Sequence, residues 1–279
     1  AKGEISHKLW VKLGRSLTCS DGYRGLVSWS GTMFEYLMPL LIMKNVDNTL
    51  LSESYWFALR EQIKYGRKNG VPWGVSESAF FSFDLNLNYQ YKAFGAPILG
   101  MKRGLINDVV VAPYATVMAL MVSRTLASDN IRRLCEVGME GPYGLYEAAD
   151  FTKVRLSRDE KQVIIKSYMV HHQGMSLMAL DNVINNNIMQ QRFHQDPMIR
   201  SVQYLLCERV HTSAIITNAT KHENQSTNKP TKRQYYSSVR VFEKPAYGIP
   251  AVHLLSNGTY NVFINDKGQG YSKWLDTNV

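Results

Sequence analysis

The residues best suited to chemistry in this sequence are carboxylates set among glycines and aromatic rings. Glu77 stands in Gly70-Val-Pro-Trp-Gly-Val-Ser-Glu-Ser-Ala-Phe80, with Trp73 before it and Phe80 and Phe81 after it. A carboxylate serving only solvation would sit on a helix face among Lys and Arg. One enclosed by rings loses water, and desolvation raises a carboxyl pKa toward the range a general acid needs. Glu147 follows 70 residues later in Gly141-Pro-Tyr-Gly-Leu-Tyr-Glu-Ala-Ala-Asp150, with Asp150 three beyond it. Paired carboxylates are the minimum equipment for glycoside hydrolysis or transfer: one gives a proton while the other attacks or activates water. Plainer roles stay open at this point. Glu77 also reads as a capping or core-loop carboxylate. Glu147 and Asp150 also read as two residues on one helix face, one terminal and one in a salt bridge.

Glu35, in an otherwise apolar run after Ser30-Gly31-Thr32, must be paired or face a cleft. Asp84, Tyr89 and Tyr91 belong to a polar-aromatic string suited to hydroxyl recognition, as do Tyr143 and Tyr146 beside Glu147. Trp73 offers a ring face of the kind that stacks on a pyranose. Arg103 is a counter-charge for a carboxylate or a substrate contact. His171-His172-Gln173 is read as a hydrogen-bonding group. Adjacent histidines point to different faces and no third ligand follows at usable spacing, so no metal site is expected. No cofactor is expected either, since the chain has no phosphate-cradling glycine loop, nucleophile elbow or dinucleotide fingerprint.

These side chains need a scaffold, and up to about residue 212 its pattern is helical. Helices are expected over Met33–Met43, over Leu51–Lys68 with Gly70 as its stop, and after Pro113. Others are expected over Asn130–Val137 with Ser128 as its cap, over Tyr168–Ile184 and over Pro197–Arg209. Between them lie long Gly- and aromatic-rich segments, 69–112 and 138–166, of a length commonly given to function. Beyond Thr212 the texture turns polar, then strand-like at Ser238–Phe242, Val252–Leu255 and Tyr260–Ile264. Ser256-Asn257-Gly258 and Asp266-Lys267-Gly268 are turn signals.

Composition narrows the classes. With 279 residues, 45% hydrophobic and 20% charged, the chain is globular rather than disordered or disulfide-stapled. The longest mostly apolar stretch, Val109–Val122, has 14 residues, short of the roughly 20 that cross a bilayer. The net charge is +9, yet the basic residues are dispersed and no nucleic-acid motif appears, so nucleic acid is not the expected partner. Three cysteines without short paired spacing read as free thiols. The 16 Tyr, 10 Phe and 5 Trp, many beside Gly, Asn and Asp, suit sugar binding as well as a Tyr-rich core.

Seven blocks carry a resemblance: SWSGTMFEYLMP, GVPWGVSESAF, YQYKAFGAPILGMKRGL, VVAPYATVMAL, GPYGLYEAADFT, SYMVHHQGMSLMAL and RFHQDPMIR. In this order and spacing they resemble the central glycoamylase-like region of cyclic β-1,2-glucan synthases. PAVHLLSNGTYNVFIND and GQGYSKW resemble the start of that family's cellobiose-phosphorylase-like domain. The resemblance implies a mainly α fold: an incomplete α/α toroid over 1–212, truncated at its N-terminus, and a linker over 213–238. The opening strands of a β-sandwich domain follow over 239–279, cut at the C-terminus.

It further implies retaining transglycosylation that closes a β-1,2-glucan ring, with Glu77 as catalytic acid/base; Glu147, the second catalytic candidate in this chain, reads also as a substrate-binding or supporting group. The family's partner carboxylate belongs to a Ser-Glu-Ala-Arg-Leu block upstream of the stretch that matches Ala1-Lys2-Gly3-Glu4. The implied partners are β-1,2-glucan chains and the glycosyltransferase and phosphorylase-like modules of the same polypeptide. The implied location is the cytoplasmic face of a bacterial inner membrane, this piece being soluble by itself. A non-catalytic glucan-binding module and an inverting endo-β-1,2-glucan hydrolase remain the alternatives.

Overall fold

The computed structural model describes residues 8–210, 252–275 and 277–278. The chain divides into two compact units, 1–227 and 228–279. The linker expected over 213–238 and the strand expected over Ser238–Phe242 lie outside the described residues.

The larger unit opens with α1 (Lys8–Lys12) and a hairpin of β1 (Leu17–Ser20) and β2 (Tyr23–Leu26). Helix α2 (Met33–Leu37) begins at a capping box, in which the Thr32 hydroxyl accepts from the Glu35 amide and the Glu35 carboxylate accepts from the Thr32 amide. The helix expected to run to Met43 stops short, and a separate 3₁₀ turn, Pro39–Leu41, takes over. A proline ring cannot join the hydrogen-bond ladder of a preceding turn. Helix α3 (Leu50–Asn69) ends on Gly70 at φ 68°, the left-handed stop its sequence predicts.

The hairpin of β3 (Ser78–Phe83) and β4 (Tyr89–Lys92) comes next, followed by β5 (Val110–Val111), α4 (Pro113–Ala119) and α5 (Arg124–Glu136). Pro113 opens α4 as expected, but α5 is capped by Ser123, not Ser128, its hydroxyl accepting from the Leu126 amide. The apolar face of α5 extends back to Ala127, so Ser128 lies inside the helix. The segment after α5 holds β6 (Glu140–Gly141), β7 (Gly144–Leu145), β8 (Ala148–Asp150) and β9 (Val163–Ile165). Helices α6 (Val170–Ile184), α7 (Ile188–Phe193) and α8 (Pro197–Val202) complete the unit, with a 3₁₀ turn at Gln203–Cys207 in place of the last helical turns expected.

Every residue of α4 is buried, and α2, α5 and α6 pack around it. A helix apolar on all sides belongs at the centre of its domain, which accounts for the apolar run at Val109–Val122. Met33, Phe57, Met118 and Leu134 close the core at 0–1% exposure, each worth about 1.5–3 kcal/mol if fully buried on folding. The segments expected as long loops are pinned by short antiparallel strands. The strands β5, β8 and β9 form one sheet in that order, with Val110 opposite Asp150 and Ala148 opposite Ile165.

In the smaller unit the described residues form one antiparallel sheet of β10 (Val252–Ser256), β11 (Tyr260–Asn265), β12 (Gly270–Trp274) and β13 (Thr277–Asn278). Both turn signals hold. Gly258 and Gly268 take φ of 95° and 78°, while the Asn257 and Asn265 side chains accept the turn amides.

Candidate active site

Two buried amide side chains shape the loop that carries Glu77. Gln62 of α3 donates from Nε2 to the Val75 carbonyl and accepts the Val75 N–H at Oε1, both at 2.9 Å. Asn130 of α5 treats Trp73 the same way, with Nδ2 2.7 Å from the carbonyl and Oδ1 3.1 Å from the amide nitrogen. Loop backbone outside the named strands is thereby satisfied inside the protein. Between the two clamps, Gly74 takes φ 117°, and a side chain there would also meet the Thr116 hydroxyl. Neither Gln62 nor Asn130 stands out in the sequence. Their signal is a polar residue at an inward helical position.

Ser76 Oγ accepts the first-turn amide of Phe34 and lies 2.7 Å from the Tyr114 hydroxyl. Tyr114 also donates to the Glu77 carbonyl at 3.0 Å. The chain is thus fixed on both sides of Glu77, whose side chain is half-buried.

The register of the β3–β4 hairpin sets Ala79 opposite Tyr91. That pairing brings the Tyr91 hydroxyl to 3.2 Å from Glu77 Oε1. From α6, His172 Nε2 lies 3.2 Å from the same hydroxyl and His171 Nε2 3.4 Å. The two histidines therefore converge on one oxygen, although His172 is buried and His171 exposed. Behind them, His172 Nδ1 is 3.0 Å from Glu147 Oε2, and Glu147 Oε1 accepts the Ala79 N–H. The His172 ring stacks on Tyr114 at 3.7 Å and 10°. The outcome is a row, Glu77, Tyr91, His172, Glu147, with a half-buried carboxylate at one end and a fully buried one at the other. A cleft of about 200 Å³ adjoins it, lined in part by Tyr146, Glu147, His172 and Gln173.

Burial, then the negative charge of Glu77, pushes the Tyr91 hydroxyl well above its ordinary value, so it stays a hydrogen-bond donor. Burial likewise raises Tyr114. Burial, then the neighbouring His172, holds His171 below the usual imidazole value. Among the described residues, no three His, Cys, Asp or Glu gather so as to hold a metal ion.

Several candidates sit elsewhere. Trp73 is 4% exposed and belongs to the core, so it offers no open face for a sugar. Glu35 is spent on the start of α2, accepting from Ser28 Oγ at 2.9 Å and from the Ser30 and Thr32 amides at 3.1 Å. Asp84 is exposed and holds the tip of the β3–β4 hairpin through the Asn86 and Asn88 amides. Hydrogen bonds from Asn88 lower its pKa.

Asp150 lies on a strand rather than a helix, fully buried, bonded to Arg155 at 2.7 Å and to the Phe81 amide. Glu147, on the segment before β8, reaches β3, the strand of Phe81, at the Ala79 amide. Tyr89 packs on Phe83 with centroids 4.8 Å apart. Tyr143 and Tyr146 both contact the Tyr168 ring, Tyr143 being 81% exposed. Arg103 is exposed on the connection after Gly100.

The family model "Putative glucoamylase" (glycoamylase) matches residues 1–197, and that of the glycosyl hydrolase 94 supersandwich domain matches 235–279. Over all 279 residues the chain is 41% identical to the cyclic beta-(1,2)-glucan synthase NdvB of Rhizobium meliloti (strain 1021), spanning 10% of that protein. Among solved structures it resembles a "putative glucoamylase" from Bacteroides uniformis ATCC 8492 at TM-score 0.51 and 15% identity, covering 73% of this chain and 50% of that one. The endo-beta-1,2-glucanase from Chitinophaga pinensis gives 0.50 and 15%, covering 70% and 46%. At such identities the likeness speaks for the fold alone, the α/α toroid that the family resemblance implied. No helix among the described residues is long and apolar enough to cross a membrane. Since the family match extends over residues 1–197, most of its length, this chain belongs to the glycoamylase family of carbohydrate-active enzymes.

Proposed function

We propose that residues 1–212 form a transglycosylase domain that closes rings of β-1,2-glucan by a retaining mechanism. The observation that carries this reading is the Glu77 carboxylate, half-buried, hydrogen-bonded to Tyr91 and backed by the His172–Glu147 pair. In the first half-reaction Glu77 gives its proton to the leaving glycosidic oxygen. In the second, the resulting carboxylate takes a proton from the incoming sugar hydroxyl. Glu147, with both oxygens engaged, acts through His172 and not on substrate. The attacking carboxylate in this reading is that of the Ser-Glu-Ala-Arg-Leu block which the family resemblance sets ahead of Ala1. The substrate class is supported by the 41% identity to a cyclic β-1,2-glucan synthase. By the same similarity, glycosyltransferase and phosphorylase-like modules of one polypeptide are proposed as partners, and the inner face of the cytoplasmic membrane as the setting.

The test is Glu77→Gln in the complete protein, assayed on linear β-1,2-glucan. Turnover should fall about 10²–10⁴-fold, with glucan affinity nearly unchanged and the parent's products keeping the anomeric configuration. Undiminished turnover in the variant would refute the assignment. Inverted products would reassign the domain as a hydrolase, and binding without turnover in the parent would make it a glucan-binding module.

A further inference from the structure

Three helices bring their N-terminal ends to the loop of Glu77. The Phe34 amide, in the first turn of α2, donates to Ser76 Oγ. Tyr114, in the first turn of α4, donates to the Glu77 carbonyl. His171 and His172, in the first turn of α6, reach the Tyr91 hydroxyl beside Glu77. The segments that lead into α2 and α6 therefore both border this loop. The one before α6 carries Tyr168, whose ring meets the exposed Tyr143 edge-on. The one before α2 carries Trp29, three residues ahead of the cap Thr32.

At 64% exposure Trp29 is the most open of the five tryptophans, all of which are among the described residues. Tryptophan is well buried on average, so a ring left in water at this place gives up the burial its size could supply. Its backbone is nevertheless fixed. The Ser28 amide donates to the Leu99 carbonyl at 2.9 Å, and the Ser28 carbonyl accepts from Met101 at 3.1 Å. The Trp29 carbonyl accepts from Met101 at 3.0 Å and from Lys102 at 2.8 Å. All four are backbone bonds, to which the Glu35 side chain contributes none. A ring presented from backbone that is already ordered costs little conformational entropy to engage.

We propose that Trp29 is a substrate-binding residue of this site, its ring face stacking on one glucose unit of a β-1,2-glucan chain. The inference rests on the proposed function, which supplies the substrate. Glu77 acts at the bond being broken, whereas Trp29, on a separate segment at the edge of the site, holds a unit further along the chain. That contact is the same before and during the reaction. It is uniform binding, which acts on KM more than on kcat.

The experiment uses the complete protein and linear β-1,2-glucan. Calorimetric Kd is measured in Glu77→Gln, where turnover does not consume the ligand. Adding Trp29→Ala should weaken binding about tenfold, and Trp29→Phe, which keeps an aromatic face, should recover most of the loss. With Glu77 intact, Trp29→Ala should raise KM by a similar factor, kcat falling less than KM rises. Its Tm should stay within about 2 °C of the parent, because an exposed ring packs against little. Glucan should also change the tryptophan emission of Glu77→Gln, and Trp29→Phe should remove most of that change. This second readout stands even where the alanine variant does not fold.

Equal affinity in Trp29→Ala, or an emission change that survives Trp29→Phe in full, would overturn the stacking role while leaving Glu77 as acid/base. A large fall in Tm without loss of affinity would assign Trp29 to packing instead. Absence of glucan binding in the parent would overturn the proposed function, and the stacking role with it.

Discussion

Gln62 and Val75 are joined by two hydrogen bonds of equal length, the side-chain amide of one matching both backbone groups of the other at 2.9 Å. The arrangement imitates one rung of a β-ladder beside the bridge that Val75 makes with Val111 of β5, and Glu77 stands two residues beyond it. Gln62→Leu keeps the volume and leaves the Val75 N–H unmet, while the Val75 carbonyl keeps the Met33 amide at 3.4 Å. A loss of about 1–3 kcal/mol is expected in urea unfolding, with kcat falling more than KM rises. Unchanged stability would mean that the loop is held by its other contacts alone.

Glu35 distinguishes a capping carboxylate from a sugar-binding one. Its oxygens accept from Ser28, Ser30 and Thr32 at the start of α2. Glu35→Ala should lower stability by about 1–2 kcal/mol, seen as a fall in Tm, while calorimetric affinity for β-1,2-glucan stays within twofold of the parent. Lost affinity at constant Tm would restore a binding role.

Two glycines give opposite expectations. A Cβ at Gly95 would meet the Ser30 carbonyl oxygen at 1.8 Å, a backbone obstacle with no rotamer to relieve it. Gly95→Ala should therefore cost about 3 kcal/mol or more. Gly174 lies within α6 with nothing inside 4 Å of its added carbon. Gly174→Ala should stabilise by about 0.5–1 kcal/mol through helix propensity. Thermal melts of the two variants check both signs.

Acid sensitivity should centre on Asp108. Burial pushes its carboxyl up, but Lys92 at 2.6 Å and Arg155 at 2.5 Å outweigh burial and hold it below the ordinary value of 3.8. A carboxylate whose pKa is depressed on folding contributes stability that is complete above its unfolded pKa. That contribution is lost as pH falls through the folded one. Melts of the parent between pH 6 and pH 2 should steepen below about pH 4. Asp108→Asn should start lower and show a shallower acid slope. Equal slopes would shift the effect to other carboxylates.

Periodicity and punctuation determined much of this protein. The helix of Leu50–Asn69 with its Gly70 stop, the Pro113 start and the hairpins at Gly258 and Gly268 depend on local backbone preferences, which a few neighbouring residues set. Glu77 stands out as a candidate for a similar reason, since a lone acid among glycines and rings has few plain uses. The same local view misjudged Trp73, whose ring is buried by chain far away in sequence, and it passed over near partners: Glu35 accepts from Ser28, Ser30 and Thr32, and Asp150 from Arg155, all within seven residues. Only the tertiary structure brought Gln62 to Val75, Asn130 to Trp73 and His172 to Glu147, pairs separated by 13, 57 and 25 residues. Hydrogen-bond demand inside a protein is met by whatever packing delivers. A sequence shows which groups must be satisfied, and the fold decides by whom.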